Sequence, residues 1–280
     1  MKQSLFKLFV AAALLATSIT GYAQNCCQKP GDMKMLAMNA DFRAAHEAPL
    51  PLAYAPEKGS MINFTTNGGK DGNAFFIPTD KPTNRVLIVV HEWWGLNDYI
   101  KREAETWQKE LGGNIDVYAI DLYDGKVATT PDEAGKYMGE LTPERGTAIV
   151  NGLLNKIGPD KRIATIGWCM GGSWSFTTTV QAGKNAAGCV MYYGFPEADI
   201  KKILPLKTDV LYMRGSKDSY ITKESVDKLE TSVKKTGNKF TQYSFDAVHA
   251  FANPSNPKFD KEAAAKAHDL SLQFLKAHLN

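Results

Sequence analysis

The feature that most constrains this chain is a glycine-rich turn, Gly167-Trp168-Cys169-Met170-Gly171, between an apolar run at 162–166 and a stretch at 172–176 that can begin a helix. A strand, a tight turn and a helix in this order are typical of the G-x-S-x-G nucleophile elbow, here with cysteine in place of serine. Glycine on either side of Cys169 lets neighbouring backbone approach closely, and a helix N-terminus favours a thiolate. Cys169 is therefore a candidate nucleophile, and the alternative is a buried structural cysteine.

The rest of the chain predicts strands that alternate with helices. Residues 85–91 form a continuous apolar run, as expected of a strand buried on both faces. Two β-like stretches at 61–66 and 73–77 precede it, and the turn-rich segment between them predicts an antiparallel hairpin. Further strands are predicted at 116–120, 161–167, 187–193, 208–214 and 239–245, and helices at about 33–45, 97–111, 131–139, 143–157, 172–183, 222–235 and 259–278. A hairpin followed by βαβ units predicts an α/β-hydrolase fold, with a mostly parallel central sheet and helices on both faces.

The N-terminus predicts a targeting segment. Lys2 and Lys7 lead into the apolar residues 8–16, and small residues at 21–23 resemble a cleavage site, so residues 1–23 are expected to be a signal peptide cleaved near Ala23. Residues 24–58 are polar and contain several prolines. They are expected to form an N-terminal extension that wraps on the domain or is partly mobile. Residues 59–280 are expected to form one domain without internal repeats. The mature protein is expected to be exported, either periplasmic or secreted.

Charge and composition restrict the partners. The net charge is +3 without a basic run, which gives no indication of nucleic-acid binding, and no later segment has 18 consecutive apolar residues that could anchor it in a membrane. We expect a monomer or a weak dimer. No spacing of His, Cys, Asp and Glu matches a zinc site, so no metal and no cofactor is expected.

Four cysteines are present in a chain that is expected to be exported. Cys26 and Cys27 are adjacent, and they could pair with each other, pair between chains or stay free. Cys189 lies in a strand-like run and is expected in the core. An exposed thiol is a liability in an oxidising compartment unless it is shielded or needed, which favours a function for Cys169.

Two residues could complete a catalytic triad with Cys169. Asp218 follows the predicted strand 208–214, and His249 follows the strand 239–245. Loops at the carboxyl ends of such strands are the usual place for functional side chains. The order nucleophile, acid, histidine is the order found in α/β-hydrolases. Separately, the two residues could be a solvated turn aspartate and a surface histidine; together with Cys169, they favour catalysis.

The loop that follows the strand at 85–91 predicts an oxyanion hole. One backbone N–H should come from Met170, directly after the nucleophile, and the other from Trp93. Glu92 is unusual beside such a site, because its carboxylate would repel the developing negative charge; alternatively it is an exposed loop residue that points away. His46, which lies in the extension, is a weaker candidate for the catalytic histidine, as are the histidines of the last helix.

Several motifs of this sequence resemble those of the dienelactone hydrolase family. They are Glu92 in H-E-W-W-G-L-N, Cys169 in G-W-C-M-G-G, Tyr193 in M-Y-Y-G, Asp218 in G-S-K-D and His249 in H-A-F, and the likeness covers roughly residues 60–280. The resemblance implies a resting neutral thiol whose proton is directed at Glu92. Substrate binding would displace Glu92, which takes the proton and leaves a thiolate beside His249.

The resemblance also implies the reaction. Cys169 would attack the carbonyl of a small ester or lactone to form an acyl-enzyme, as in a carboxymethylenebutenolidase, with His249 oriented by Asp218. The residues that would contact the substrate are Tyr123, Lys126, Tyr193 and Trp94. Where the family places arginines for a substrate carboxylate, this chain has Lys126 and Asn253, and a lysine lacks the two-pronged fork of arginine. The alternatives are a thioesterase or carboxylesterase with the same triad, or a non-catalytic binding or redox protein that uses Cys169 with Cys26 and Cys27.

Overall fold

The computed structural model describes residues 33–197 and 199–279. The predicted signal peptide, Cys26 and Cys27 lie outside the described residues. The strands are β1 (Ser60–Phe64), β2 (Gly72–Ile77), β3 (Arg85–Val90), β4 (Asp116–Asp121), β5 (Arg162–Trp168), β6 (Ala186–Tyr192), β7 (Val210–Gly215) and β8 (Phe240–Phe245). The helices are α1 (Met33–Met38), α2 (Ala40–Ala44), α3 (Asp98–Glu110), α4 (Pro131–Glu140), α5 (Pro143–Ile157), α6 (Met170–Ala182), α7 (Ile200–Ile203), α8 (Lys223–Lys234) and α9 (Lys261–Leu279).

The strands form one sheet in the order β1-β2-β4-β3-β5-β6-β7-β8. The hairpin strand β2 pairs antiparallel with both β1 and β4, and all the other pairs are parallel. Parallel neighbours need crossover connections, which the intervening helices supply. The predicted α/β fold with a mostly parallel sheet is confirmed. The buried apolar runs of β3 and β5 place the core on both faces of its centre.

The parallel pairing brings the candidate residues to one edge of the sheet. β3, β5, β7 and β8 all run in the same direction, so the loops after their carboxyl ends meet there. These loops carry Glu92, Cys169, Asp218 and His249. This edge is the usual place of a functional site in an open parallel sheet.

The turn between β5 and α6 is sterically tight. Cys169 has φ 53°, in the left-handed region that few residues other than glycine adopt. A Cβ on Gly167 would lie 2.1 Å from the carbonyl oxygen of Gly171, and a Cβ on Gly171 would lie 2.3 Å from that of His91. Helix α6 therefore begins at Met170, two residues before the predicted start, because the turn leads directly into it.

The described part of the extension, residues 33–58, lies on the domain. The predicted helix at 33–45 is two short helices, because the Asn39 side chain accepts a hydrogen bond from Phe42 N (2.9 Å) and so begins α2 as its N-cap. Leu50 N donates to Ser255 O (3.2 Å), and the backbone N–H groups of residues 57–59 donate to the Glu105 carboxylate. These contacts fix the described part of the extension against the domain.

Cys189 on β6 is fully buried, as predicted for a core residue. Among the described helices, none combines the length and the apolar character that crossing a bilayer requires.

Because the turn at Gly167 has no space for a side chain, we expect Gly167→Ala to lower the free energy of unfolding by about 2 kcal/mol or more. Gly139→Ala is the matched control, since its Cβ would make only an ordinary contact, 3.7 Å from Ala37 Cβ. That helical substitution should stabilise by about 0.5–1 kcal/mol. Urea denaturation of both variants measures the difference, and equal effects would contradict the steric account.

Candidate active site

Cys169, His249 and Asp218 form a continuous chain of contacts. His249 Nε2 lies 3.3 Å from Cys169 Sγ, and His249 Nδ1 lies 2.7 Å from Asp218 Oδ2. The other carboxylate oxygen of Asp218 accepts hydrogen bonds from the backbone N–H groups of Tyr220 (2.8 Å) and Ile221 (3.0 Å). All three side chains are buried. Asp218 is therefore fixed by its own loop and in turn orients the imidazole toward the sulfur.

The charges around the contacts of Cys169, His249 and Asp218 favour the protonated form of His249. Burial opposes the charge on His249, but the Asp218 carboxylate and the nearby Cys169 sulfur raise its pKa to about 10. Burial likewise opposes the charge on Asp218, but the positive charge of His249 and the two backbone N–H groups lower its pKa. The Asp218 carboxylate and the His249 imidazolium therefore coexist in contact, since the two charges are opposite.

Glu92 is buried beside these three residues. It does not point into solvent, as the alternative interpretation of an exposed loop residue required. Its Oε1 accepts from the Tyr193 hydroxyl (3.2 Å), and its Oε2 accepts from Asn253 Nδ2. Ser255 donates from both N and Oγ to Asn253 Oδ1, which fixes the amide with its NH₂ toward Glu92. Burial raises the pKa of Glu92 from 4.5 to about 7, and the charge of His249 and the two hydrogen bonds limit the rise. Glu92 can therefore exchange a proton near neutral pH.

His91 holds the loop that carries Glu92. Its Nε2 accepts from Leu122 N (3.0 Å), so its Nδ1 carries the proton and donates to Glu92 O (2.5 Å). The fully buried ring thus ties the end of β3 to the segment after β4. This arrangement gives His91 a structural role in placing Glu92 and Trp93.

The two predicted oxyanion donors lie at the expected elements. Met170 is the first residue of α6, so its N–H is one of the helix-start groups that have no acceptor within the helix. Trp93 follows Glu92 in the loop after β3, and its side chain is buried. Their role as an oxyanion hole stays a prediction.

The predicted substrate-contacting residues separate into two groups. Tyr123 is buried and donates to Met170 Sδ (3.1 Å), Tyr193 bonds Glu92, and the Trp94 ring lies 4.9 Å from that of Trp93. Lys126 instead lies half exposed, with its Nζ 2.8 Å from Glu140 Oε2. The structure therefore brings Tyr123, Tyr193 and Trp94 to the site, and places the ammonium of Lys126 in a surface ion pair.

The structure adds His46, which the sequence had indicated only weakly. Its ring centroid lies 5.4 Å from that of His249 and 4.6 Å from that of Trp93. A ring nitrogen of His46, Cys169 Sγ and a ring nitrogen of His249 all lie within 4.8 Å of one another. Burial, and next the charge of His249, lower the pKa of His46 to about 4, so its ring is neutral. No local pattern in the sequence gives this position, because it depends on how α2 packs on the domain.

The extension also shields the thiol. Phe42 of α2 is fully buried, with its ring 5.3 Å from that of Trp93 and 6.0 Å from that of His249, and Cys169 is only 1% exposed. A cleft of about 450 Å³ lies further along the surface, between residues 49–52 of the extension and the start of α3, and none of the triad candidates lines it. A smaller cleft, lined by Glu92, Trp168 and Asn253 among others, lies closer to the thiol.

The sequence profile of the dienelactone hydrolase family matches residues 73–279. This chain belongs to the dienelactone hydrolase family. Carboxymethylenebutenolidase 1 of Cupriavidus pinatubonensis is 26% identical, over 74% of this chain and 93% of that protein. The carboxymethylenebutenolidase of Pseudomonas putida is 24% identical, over 73% of this chain and 92% of its own length. Membership of this family identifies the chain as a hydrolase.

Solved structures with the same fold support the architecture. A dienelactone hydrolase-like promiscuous phosphotriesterase from metagenomic libraries superposes with a TM-score of 0.63 at 18% identity, over 80% of this chain and all of that one. An esterase of Pyrococcus furiosus superposes with a TM-score of 0.59 at 16% identity, over 84% of this chain and all of that one. At these identities the likeness concerns the fold alone.

The raised pKa of Glu92 predicts a pH-dependent stability. The pKa of Glu92 is raised from 4.5 to about 7 in the folded state, so protonation of this carboxyl stabilises the folded state. This contribution to the free energy of unfolding is fully present below pH 4.5 and is lost as the pH rises through 7. Glu92→Gln removes the charge at similar shape, so its stability relative to wild type should rise between pH 4.5 and 8 by up to about 3 kcal/mol, at about 1.4 kcal/mol per pKa unit.

Urea denaturation of both proteins across this pH range provides the measurement. Glu105→Gln is the control of opposite sign, because backbone N–H groups of the extension lower the pKa of Glu105 despite the opposing effect of burial. Its stability relative to wild type should rise as the pH falls. A pH-independent difference for Glu92→Gln would contradict the raised pKa.

Proposed function

We propose that this protein is a cysteine-dependent hydrolase of a small ester or lactone, with Cys169 as nucleophile, His249 as acid and base, and Asp218 as the group that orients His249. The observation that carries the proposal is the contact chain from Cys169 Sγ to His249 Nε2 (3.3 Å) and from His249 Nδ1 to Asp218 Oδ2 (2.7 Å). Such a chain is the recurring arrangement of nucleophilic hydrolases on unrelated folds. The two carboxymethylenebutenolidase relatives support the substrate class.

In the proposed reaction, the Cys169 thiolate attacks the carbonyl carbon, and the carbonyl electron pair moves to oxygen. The backbone N–H groups of Met170 and Trp93 would donate to this oxyanion. Collapse breaks the ester C–O bond, and the imidazolium of His249 gives its Nε2 proton to the leaving oxygen. His249 then takes a proton from the water that attacks the thioester, and breaking of the C–S bond restores the thiolate and the imidazolium.

Glu92 is the proposed switch that activates the thiol. Its pKa of about 7 lies between the ordinary values of a carboxyl and a thiol, so it can take a thiol proton and later release it. The structure has Glu92 turned to Tyr193 and Asn253, with the sulfur beside His249. We propose that substrate stabilises this arrangement, and that without substrate Glu92 turns toward Cys169 and keeps it a neutral thiol. A neutral thiol oxidises more slowly than a thiolate.

The charges around the site bear on the substrate. Lys126 is paired with Glu140, and the amide of Asn253 is committed to Glu92 and Ser255. Neither position offers a free cation for a substrate carboxylate. We propose that the substrate is a small uncharged ester or lactone.

Cys169→Ala should lower kcat for p-nitrophenyl acetate and for reactive lactones by about 10³-fold or more, because it removes the nucleophile. Cys169→Ser should also be strongly impaired, since a site built around a thiolate does not ionise a hydroxyl. Cys189→Ala, which changes the other described cysteine, should retain the wild-type rate. Equal rates for wild type and both Cys169 variants would contradict the proposal, and a preference for acyl thioesters over esters and lactones would favour a thioesterase.

The switch predicts how fast the thiol is alkylated. In wild type, iodoacetamide should label Cys169 several-fold faster when a non-hydrolysable substrate mimic is bound, because the mimic displaces Glu92. In Glu92→Gln this acceleration should be absent, since an amide does not accept the thiol proton. Mass spectrometry of the labelled peptide measures the rate, and equal acceleration in both proteins would refute the switch.

We also propose that the protein is exported, on the basis of the lysines, apolar run and small residues in positions 1–23. Intact mass spectrometry of protein from the periplasmic and extracellular fractions should then find a chain that begins near Gln24. Recovery only of the 280-residue chain, in the cytoplasm, would contradict export.

A further inference from the structure

We propose that His46, Cys169 and His249 together bind one Zn²⁺ ion, which joins the extension to the catalytic residues and stops hydrolysis. One potential ligand atom from each residue lies within 4.8 Å of the other two, and all three side chains are buried. Two imidazoles and one thiolate are ligands that suit Zn²⁺, and three protein ligands leave a fourth position for water.

The imidazole of His46 has a free lone pair. Its Nδ1 lies 2.6 Å from Phe42 O, and since a carbonyl only accepts, Nδ1 carries the proton. Its Nε2 therefore has an unshared pair, and this atom is buried without a hydrogen-bond partner in the structure. A buried acceptor without a partner is costly, and a metal ion would satisfy it.

Both histidines have the outer contacts that zinc ligands use. Zinc-bound histidines commonly donate their second N–H to a carboxylate or a backbone carbonyl. His249 Nδ1 contacts the Asp218 carboxylate, and His46 Nδ1 contacts Phe42 O. Each ring is thereby oriented with Nε2 as its available nitrogen.

The distances fit a metal after a small adjustment. With Zn–N of about 2.0 Å and Zn–S of about 2.3 Å, tetrahedral ligand atoms lie about 3.5 Å apart. The Cys169 Sγ to His249 Nε2 distance of 3.3 Å already agrees. The other distances, at most 4.8 Å, would need to shorten by about 1.3 Å or less. A shift of His46, which lies just after the short helix α2, would supply this movement.

One of the three ligands, His46, lies in the extension, whereas Cys169 and His249 lie in the matched family region. The family match begins at residue 73, whereas His46 lies well before it. Sequence spacing does not indicate such a site, because His46 and Cys169 are far apart in the chain and only the packing of α2 brings them together.

The metal would act by occupying the reacting atoms. Binding displaces protons from the Cys169 thiol and from His249 Nε2 into solvent, and no electron is transferred. The lone pair of Cys169 Sγ then cannot attack a carbonyl, and His249 Nε2 cannot carry a proton. The ion also ties residues 33–58 to the domain. Inhibition of hydrolysis rests on the proposed function, whereas metal binding does not.

The test uses the metal-free mature chain, titrated with Co²⁺ as a spectroscopic substitute and with Zn²⁺ against a chromophoric chelator. Wild type should bind one ion and give a thiolate-to-cobalt charge-transfer band. His46→Gln should weaken Zn²⁺ binding by about tenfold or more, because loss of only an outer partner of a metal ligand already costs about 10–100-fold in affinity. His46→Phe should weaken Zn²⁺ binding in the same way. Its ring keeps the aromatic packing against Phe42 and Trp93, so this variant separates loss of the ligand from loss of packing.

Two controls locate the ion. His268→Gln changes a histidine of α9 that contacts Glu110 and is not one of the three proposed ligands, and this variant should bind Zn²⁺ like wild type. The Cys26→Ser/Cys27→Ser double variant should also keep the charge-transfer band. Loss of the band in this double variant would overturn the proposal by placing the ion on the N-terminal cysteines.

Two measurements on wild type avoid the risk that His46 variants fail to fold. X-ray absorption of the Zn²⁺ complex should show one sulfur and two imidazole ligands. Zn²⁺ should also slow proteolysis of residues 33–58, and a chelator should reverse this. A single imidazole in the metal shell, or equal Zn²⁺ affinity of wild type and folded His46→Gln, would overturn the proposal. These results are independent of whether any ester is hydrolysed.

Discussion

At the turn between β5 and α6, a Cβ on Gly167 or Gly171 would lie within 2.3 Å of a backbone carbonyl oxygen. In this tight turn Cys169 has φ 53°, in the left-handed region, and it directly follows the carboxyl end of β5. The loop after β3 packs against the same turn, so the contact also positions Glu92 and Trp93. A substitution that separates these backbones would displace both the nucleophile and the groups that act on it.

Charge inside this site depends on mutual pairing. The Asp218 carboxylate receives two backbone N–H groups and the imidazole of His249, whose other nitrogen faces the sulfur. Glu92 has only neutral donors, the Tyr193 hydroxyl and the Asn253 amide. The two buried carboxyls therefore differ in pKa, which is low for Asp218 and near 7 for Glu92. One is suited to remain ionised, and the other to exchange a proton.

The extension packs on the candidate active site. Phe42 and His46 pack on Trp93 and His249, and the thiol beneath them is almost fully buried. A small cleft lies nearby, lined by Glu92 and Asn253 among others. His46 Nε2 is buried without a hydrogen-bond partner, and His46 lies beside Cys169 and His249, so the segment that shields the thiol also supplies the third ligand of the proposed metal site.

The sequence by itself determined the order of the elements. Continuous apolar runs indicate the buried parallel strands, and two spaced glycines indicate the tight turn at the nucleophile. It also indicated Cys169, Asp218, His249 and Glu92, because side chains directly after strand ends must lie at one edge of a parallel sheet. The start of α6 and the division of the first helix at Asn39 depended on local geometry that the pattern does not specify. Only the tertiary structure decided that Asn253 bonds Glu92, that Lys126 pairs with Glu140, and that His46 lies beside Cys169. The physical reason is that these contacts join loops and an extension whose paths are set by long-range packing, which local periodicity does not encode.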